Sequence, residues 1–318
     1  MEKEKILQLS TRRYGGDDST LELLGGFYNN VFSFEQGQQE RVLKLMPMDR
    51  HQLPEIKGEL EWVNYLADNG IRVTKPILSE KGNYIEEIDF QDCGYYIVVF
   101  EKAQGRLVDV ENEEEWNGQL FKKWGQLMGQ MHSLAKDYTP SDQVKIRDWK
   151  ETDLLSEINQ PIHQGILEKW NHYRERLNYL RELSTDRDSY GVIHNDLHHQ
   201  NFYLDGEQLV IFDFGDLEYN WFIYDIAISL YHALELIPYN QTRDRIRFTD
   251  KFITNFMAGY LQENSLEDRW LFNLKDFLEY RQLWSYLYFK ANLDQENMSP
   301  AHKKYLKAMK ERIVNNGV

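Results

Sequence analysis

The chain has 318 residues, of which 42% are hydrophobic and 14% aromatic, and its single cysteine, Cys93, excludes an internal disulfide framework. This apolar content excludes disorder over most of the length, and the length favours one large lobe or two coupled lobes. A net charge of −15 disfavours nucleic acid as a partner, because neutralisation of phosphates dominates that affinity. No apolar run reaches the roughly 20 residues of a membrane helix and no signal peptide is recognisable, so we expect a soluble cytoplasmic protein without a membrane partner.

Short strands and one helix are predicted in the first part of the chain. β-branched and aromatic residues flank a glycine-containing turn within residues 29–46, which is typical of two paired strands. Apolar residues of 53–70 recur at helical spacing, and Asn69-Gly70 provides a helix stop. The apolar run 95–100 has the length of a strand. These elements predict a small, strand-rich lobe with one packed helix over residues 1–101.

Residues 102–318 are predicted to form a larger, mainly helical lobe. Apolar residues within 113–136 lie three and four positions apart, as in an amphipathic helix. The acidic run 109–115 is expected to begin this helix, because carboxylates complement the positive end of the helix dipole. Strands interrupt the helices only within 192–214, where Asp205-Gly206 supplies a hairpin turn. Further helices are predicted at 151–183, 222–237, 247–262 and 268–293.

The polar residues of one stretch carry the functional prediction. His194, Asp196 and Asn201 have the spacing H-x-D-x-x-x-x-N, and Asp213 follows an apolar strand. A hairpin that begins at Asn201 would return Asp213 close to it and bring an amide and a carboxylate to one point. Such hard oxygen ligands suit Mg²⁺. Asp196, beside this pair, would accept a proton from an attacking hydroxyl, and that layout is typical of phosphoryl transfer.

Three motifs in chain order resemble those of a known family. The sequence HNDLHHQN (194–201) resembles the H-G-D-L-H-x-x-N loop of the aminoglycoside phosphotransferase and choline kinase family, although His199-Gln200 replaces the usual Pro-Gly. DFG (213–215) resembles the metal loop of the protein kinase fold, and YDIAISL (224–230) is similar to the segment that follows it. The resemblance implies an α+β, bilobal protein kinase-like fold and a small-molecule kinase that uses ATP and Mg²⁺.

The same resemblance implies roles for single residues of these motifs. Asn201 and Asp213 would bind Mg²⁺, and Asp196 would be the catalytic base. Asp225 would tie its helix to the catalytic loop. Gly215 is expected to let the backbone turn sharply, so that the metal ligand before it is presented.

Upstream residues match the nucleotide site of the family in the expected order. Lys44 would hold the phosphates of ATP, and Glu59 on the following helix would orient it. The hairpin 23–34, with Gly25 and Gly26, would cover the phosphates, although it departs from the G-x-G-x-x-G form of protein kinases. The segment from Glu101 to Ala103 resembles the hinge whose backbone binds the adenine edge.

Two other functions stay open from the sequence alone. A metal-dependent hydrolase would use His194, Asp196, His198 and Asp213 as ligands, although the H-x-H-x-D-H clustering common in such enzymes is absent. A nucleotide-binding module without catalysis is the other alternative, and it is disfavoured because every expected catalytic residue is present.

The phosphate acceptor is expected to be a small hydroxylated molecule, such as an amino sugar or an amino alcohol. Few residues separate Asp213 from the helix that begins near Tyr224, which leaves little platform for a peptide. Asp216, Glu218 and nearby aromatic residues are candidates to receive an ammonium group. No basic residue that could clamp an anionic acceptor is identifiable from the sequence.

Overall fold

The computed structural model describes residues 2–26, 29–90, 93–151, 154, 161–183, 186–293 and 298–315. The helices are α1 (Glu2–Arg13), α2 (Leu53–Asp68), α3 (Gly118–Ala135), α4 (Gln164–Leu183), α5 (Phe222–Leu234), α6 (Thr242–Tyr260), α7 (Asp268–Phe272), α8 (Leu274–Asn292) and α9 (Pro300–Val314). The strands are β1 (Asp17–Gly25), β2 (Val31–Gln36), β3 (Gln39–Pro47), β4 (Ile85–Phe90), β5 (Cys93–Glu101), β6 (Arg147–Asp148), β7 (Tyr190–Ile193), β8 (Phe202–Asp205), β9 (Gln208–Ile211) and β10 (Glu218–Trp221).

The chain divides into two compact units, each built from separate stretches of sequence. The first unit comprises Met1–Leu107, Thr139–Ile146 and Phe202–Gly215. The second comprises Val108–Tyr138, Arg147–Asn201 and Asp216–Val318. A lobe boundary after residue 101 stays a prediction.

An antiparallel sheet with the strand order β1-β2-β3-β5-β4 forms the centre of the first unit. Because side chains alternate along a strand, β3 serves two cores. Leu43 and Leu45 pack with Ile6 of α1, a helix that the sequence analysis did not anticipate. Met46 packs with Ile56 of α2 on the other face, and alternation places Lys44 on this same face.

The predicted hairpins and the predicted helix stop of this unit are confirmed. β2 and β3 pair around a turn at Gly37, and β8 and β9 pair around Asp205-Gly206. α2 ends before Asn69, and Gly70 adopts a positive φ of 86°. Backbone hydrogen bonds, such as Thr74 N–H to the carbonyl of Ile211 at 3.1 Å, join the β8–β9 hairpin to the rest of the unit.

The first helix of the second unit begins later than expected. The expectation that the acidic run 109–115 begins it is wrong, because those residues form turns and α3 starts at Gly118. Asn117 sets this start. Its side-chain oxygen accepts hydrogen bonds from the N–H groups of Gln119 at 2.8 Å and Leu120 at 3.3 Å, which are otherwise unsatisfied at a helix N-terminus.

α5 packs against α6 and α8, and all of its residues except His232 are buried. The helix predicted over 268–293 is interrupted at Asn273, where α7 ends and α8 begins. Part of the helix predicted over 151–183 lies outside the described residues, and α4 covers the remainder from Gln164. Among the described residues, no helix has both the length and the apolar character required to cross a membrane.

Candidate active site

One face of α5 holds the loop that follows β7. The carboxylate of Asp225 accepts the backbone N–H of His194 at 3.1 Å and that of Asn195 at 2.9 Å. One turn further, Ser229 Oγ donates to the carbonyl of Leu197 at 2.7 Å. These α5 residues are four positions apart and therefore share a face of the helix. The expectation that Asp225 ties its helix to the catalytic loop is confirmed.

The Asp225 carboxylate stands at one end of a buried chain of hydrogen bonds. Asp225 and His132 are both fully buried, and His132 Nε2 lies 3.1 Å from the Asp225 carboxylate. The other ring nitrogen lies 3.0 Å from the hydroxyl of Tyr260, which accepts from Asn264 at 2.9 Å. Burial lowers the pKa of His132, so the ring is neutral and donates through Nε2. A buried carboxylate with this many donors is stable without a salt bridge.

Asn195 stands where the family pattern has glycine, and its backbone conformation shows why asparagine fits there. Its φ is 66°, in the left-handed region. Asparagine is among the non-glycine residues that adopt this region at least cost. Its Nδ2 also donates to the carbonyl of Asp216 at 3.0 Å, which fixes the turn that carries Asp196.

The two carboxylate oxygens of Asp196 have different neighbours. Oδ1 lies 2.8 Å from Arg281 Nη2 and 3.5 Å from His232 Nε2. Oδ2 lies 3.2 Å from Asn201 Nδ2 and 3.4 Å from His198 Nε2. The Asp196 side chain keeps 23% of its surface exposed, whereas the Arg281 side chain keeps only 6%. The carboxylate is therefore held from several sides while one part of it reaches solvent.

This environment keeps Asp196 ionised. Burial alone would raise the pKa of Asp196, but His198 and the charge of Arg281 hold that pKa well below its usual value. Burial lowers the pKa of His232 to about 4, so that this ring is neutral at pH 7. An ionised carboxylate can receive a hydroxyl proton, as general base catalysis requires.

Asp196, His198 and His232 also offer ligand atoms that all lie within 4.8 Å of one another, as a metal site would require. Arg281 argues against a metal there. Its guanidinium is positively charged and lies 3.2 Å from His232 Nε2 and 2.8 Å from Asp196. Since a guanidinium can only donate, the lone pair of His232 Nε2 is already used. His194 is fully buried and accepts the N–H of Asp196 at 3.3 Å, so the ligand set expected for a hydrolase does not assemble among these residues.

The first unit gathers the residues predicted to meet the phosphates. Lys44 Nζ lies 3.5 Å from the Glu59 carboxylate and 3.2 Å from the Asp213 carboxylate. The Lys44 and Glu59 side chains are mostly buried, at 16% and 10% exposure, whereas Asp213 is 55% exposed. The two carboxylates hold the Lys44 ammonium group in place from two sides.

Gly215 acts differently from expectation. The left-handed backbone conformation belongs to Asp213, with φ 63°, and not to Gly215. A Cβ atom at Gly215 would lie 2.6 Å from Lys44 Nζ, so this glycine leaves room for the ammonium group. The strained backbone at Asp213 is of the kind that persists at functional sites.

The glycine hairpin connects β1 with β2, and the hinge segment begins at the last residue of β5. Gly25 and Gly26 adopt φ of 136° and 85°, and β1 and β2 pair on either side of the turn, whose Phe27-Tyr28 lies outside the described residues. The Glu101 N–H donates to the carbonyl of Lys75 at 2.9 Å. The Glu101 N–H is thereby already used, and the other backbone groups from Glu101 to Ala103 remain those predicted to meet adenine.

The two expected metal ligands offer atoms that suit Mg²⁺. Asn201 belongs to the second unit, and its Nδ2 donates to the carbonyl of Asp196 at 2.8 Å. The amide is thereby oriented with Oδ1 as its ligand atom. Asp213, in the first unit, offers a largely exposed carboxylate. An amide oxygen and a carboxylate are the hard donors that this ion prefers.

The sequence analysis missed two residues of the site, Arg281 and His232. Arg281 lies 85 positions from Asp196, and no local pattern connects them. A signal for His232 was present: it follows Asp225 by seven positions and Ser229 by three, so a helix places it on the same face. The signal was missed because the other residues of α5 are mostly apolar, so the helix was interpreted as part of the core.

Comparisons with known proteins give the family of this chain. Residues 19–272 match the Phosphotransferase enzyme family. Amicoumacin kinase of Bacillus subtilis (strain 168) is 34% identical over 317 residues, which cover 98% of this chain and 92% of that protein.

Solved structures give the same result. Amicoumacin kinase hAmiN in complex with AMP-PNP, Ca2+ and Ami has a TM-score of 0.88 and 31% identity, with 99% of this chain and 94% of that chain covered. The microcompartment-associated aminopropanol kinase has a TM-score of 0.79 and 19% identity over 98% of this chain and 95% of that chain, a likeness that concerns the fold alone. The expected α+β, kinase-like fold is confirmed, with an antiparallel sheet in the N-terminal region and helices in the C-terminal part.

Proposed function

Since the chain belongs to the phosphotransferase enzyme family and is a small-molecule kinase, we propose that it transfers the γ-phosphate of ATP to a hydroxyl group of amicoumacin or of a closely related hydroxylated amine. The observation that carries this proposal is the position of Asp196, which Arg281 contacts at 2.8 Å on a loop whose backbone Asp225 binds. The relative that suggests the acceptor is similar to this chain over almost the full length of both.

Asp196 is the catalytic base in this proposal. It takes the proton of the acceptor hydroxyl while the acceptor oxygen forms a bond to the γ-phosphorus. The bond from that phosphorus to the bridging oxygen breaks, and ADP leaves with the electron pair. Positioning of the hydroxyl is the larger part of the effect, since phosphoryl transfer requires little covalent chemistry from the protein.

Lys44 and Glu59 hold the phosphates of ATP. The ammonium contributes a fixed positive charge, and the contact to Glu59 at 3.5 Å orients it. Gly25 and Gly26 let the hairpin backbone approach the phosphates, and the backbone from Glu101 to Ala103 meets the adenine edge. The positive φ of both glycines supports their role, because other residues adopt these angles only with strain.

Asn201 and Asp213 hold Mg²⁺ with the nucleotide. When bound, the ion neutralises charge that develops on the phosphate oxygens. Asn201 also donates to Asp196, so one residue links the metal ligands to the base. The complex of a relative at 31% identity with AMP-PNP and Ca2+ supports a divalent ion with a nucleotide here.

The enzyme acts on small molecules in the cytoplasm, without nucleic acid or membrane as a partner. The net charge of −15 supports this part of the proposal, because an acidic surface repels polyanions and attracts cationic amines.

An acceptor comparison tests the proposed function. Purified protein with ATP and Mg²⁺ is supplied with amicoumacin, an amino alcohol or an amino sugar, and phosphorylated products are identified by mass spectrometry. We expect a singly phosphorylated product that depends on Mg²⁺, with the highest kcat/KM for amicoumacin. Phosphorylation of choline or aminopropanol at higher kcat/KM would replace the proposed acceptor, and hydrolysis of ATP without any product would contradict the transfer.

A further inference from the structure

Arg281, in the middle of α8, is the most deeply buried cation near the proposed base. Its Nη1 donates to the carbonyl of Asn195 at 3.2 Å, and its Nη2 lies 2.8 Å from Asp196 Oδ1. The ring of Trp284 lies 4.8 Å from the guanidinium carbon and covers one of its faces. Arg281 follows the last residue that matches the family, residue 272, so the matched segment does not account for it.

His232 supports the same arrangement from α5. Arg281 Nη2 lies 3.2 Å from His232 Nε2, and because the guanidinium only donates, His232 is the acceptor. Its ring also lies against that of His198, with centroids 4.5 Å apart. The guanidinium therefore has acceptors on a backbone carbonyl, a histidine and a carboxylate, and these fix its plane.

The two carboxylate oxygens of Asp196 receive hydrogen bonds of unequal strength. Oδ1 receives a charge-assisted hydrogen bond at 2.8 Å from Arg281, and such bonds are roughly twice as strong as neutral ones. Among the described residues, Oδ2 has as neighbours the amide of Asn201 at 3.2 Å and the ring of His198 at 3.4 Å. His198 Nδ1 accepts the N–H of Gln200 at 3.1 Å, which leaves Nε2 as the ring nitrogen that donates toward Oδ2. Both contacts of Oδ2 are longer than the 2.8 Å contact between Oδ1 and Arg281.

We propose that Arg281, supported by His232, locks Oδ1 of Asp196 and thereby makes Oδ2 the oxygen that receives the acceptor proton. Arg281 is a positioning residue in this account, because it acts through Asp196. The proton moves from the acceptor hydroxyl to Oδ2, the acceptor oxygen bonds to the γ-phosphorus, and ADP departs. The inference rests on the proposed function, since it assumes that Asp196 is the base.

Three substitutions at Arg281 test this role. Arg281→Met removes the charge and keeps most of the volume, Arg281→Lys keeps the charge without the planar fork, and Arg281→Ala leaves space for free guanidinium. Arg245→Met is the matched control. Arg245 is 6% exposed and donates to the carbonyls of Leu234 and Ile237, so it is an equally buried arginine that does not touch Asp196.

Transfer to amicoumacin gives kcat and both KM values, and calorimetry gives the affinity for MgATP. We expect Arg281→Met to lower kcat roughly 100-fold, the loss that a small misplacement of reacting groups produces. The affinity for MgATP should stay within about threefold of wild type, which corresponds to a change in binding free energy below ~1 kcal/mol. The kcat of Arg281→Lys should lie between those of wild type and Arg281→Met. Added guanidinium should partly restore kcat in Arg281→Ala.

Basal hydrolysis of ATP, with water in place of the acceptor, is measured on the same variants. If wild type hydrolyses ATP but does not phosphorylate amicoumacin, the proposed acceptor is contradicted. The role of Arg281 would then be tested by comparing the hydrolysis rates of its variants with that of wild type. Arg281→Met or Arg281→Lys with wild-type kcat would overturn the inference. A loss of kcat in Arg245→Met equal to that in Arg281→Met, or failure of guanidinium to restore Arg281→Ala, would reduce Arg281 to a structural role and also overturn it.

Discussion

Asp225 on α5 binds the backbone N–H of Asn195 at 2.9 Å, although 30 residues separate them in the sequence. The same carboxylate binds the N–H of His194 and faces His132, and all of these groups are buried. Asp225 thus fastens the start of the loop that presents Asp196 through two backbone N–H groups, and Ser229 binds the carbonyl of Leu197 further along the same loop.

Asp225→Ala should strongly destabilise the protein. The substitution leaves two buried N–H groups and the His132 ring without an acceptor, and we expect a loss of roughly 3 kcal/mol or more in the free energy of unfolding. Urea denaturation measures the loss. Asp188→Ala is the control, because Asp188 is 72% exposed and pairs with Lys136 at the surface, so its change should stay within about 0.5 kcal/mol. Equal stabilities of the two variants would contradict the fastening role.

Gly215→Ala should weaken nucleotide binding with little effect on stability. A Cβ atom there would lie 2.6 Å from Lys44 Nζ and would displace the ammonium from its place between Glu59 and Asp213. We expect the Kd for MgATP to rise roughly tenfold, or ~1.4 kcal/mol. Calorimetric titration with MgATP measures this. Gly165→Ala on α4 is the control, because its Cβ would meet nothing closer than 3.4 Å. An unchanged Kd in Gly215→Ala would contradict the claim that Gly215 leaves room for the Lys44 ammonium group.

Much of the site was predictable because its residues lie in one short segment with fixed spacing. His194, Asp196, Asn201 and Asp213 follow one another through a loop and a hairpin, and both are local structures with sequence signals. Arg281 was not predictable, since it reaches Asp196 through the packing of α8, and no period in the sequence reports such a contact.

The fold shows the same division between local and tertiary signals. The hairpins of β2–β3 and β8–β9 were predicted from their turn residues. The start of α3 was misplaced because an acidic run was weighed above Asn117, whose side chain satisfies the first free N–H groups directly. α1 was missed, since its short amphipathic pattern gains most of its stability from packing on the sheet.

Stability should fall as the pH rises from about 4.5 to about 7 because of Glu218. Burial raises the pKa of Glu218 from 4.5 to about 7, and its carboxyl group accepts from Asn220 at 2.7 Å. The folded state therefore binds this proton more tightly than the unfolded state. The contribution is fully present below about pH 4.5 and is lost by about pH 7. A shift of this size corresponds to about 3 kcal/mol.

Glu218→Gln tests this assignment, because glutamine can still accept the hydrogen bond from Asn220 but cannot ionise. The free energy of unfolding is measured at pH 5 and pH 8 for both proteins. We expect the variant to gain stability relative to wild type between these pH values, by up to about 3 kcal/mol. Glu113→Gln, at an exposed position, should show no such gain. A constant difference between wild type and Glu218→Gln at both pH values would contradict the prediction.

The most direct test of the central claim compares wild type with Asp196→Asn in a single-turnover transfer of phosphate from ATP to amicoumacin, after MgATP binding to both proteins has been measured. The carboxamide keeps the size of the side chain but cannot accept the hydroxyl proton. The account predicts that transfer slows roughly 100- to 10,000-fold while MgATP still binds. Transfer by Asp196→Asn at the wild-type rate would contradict the assignment of Asp196 as the catalytic base.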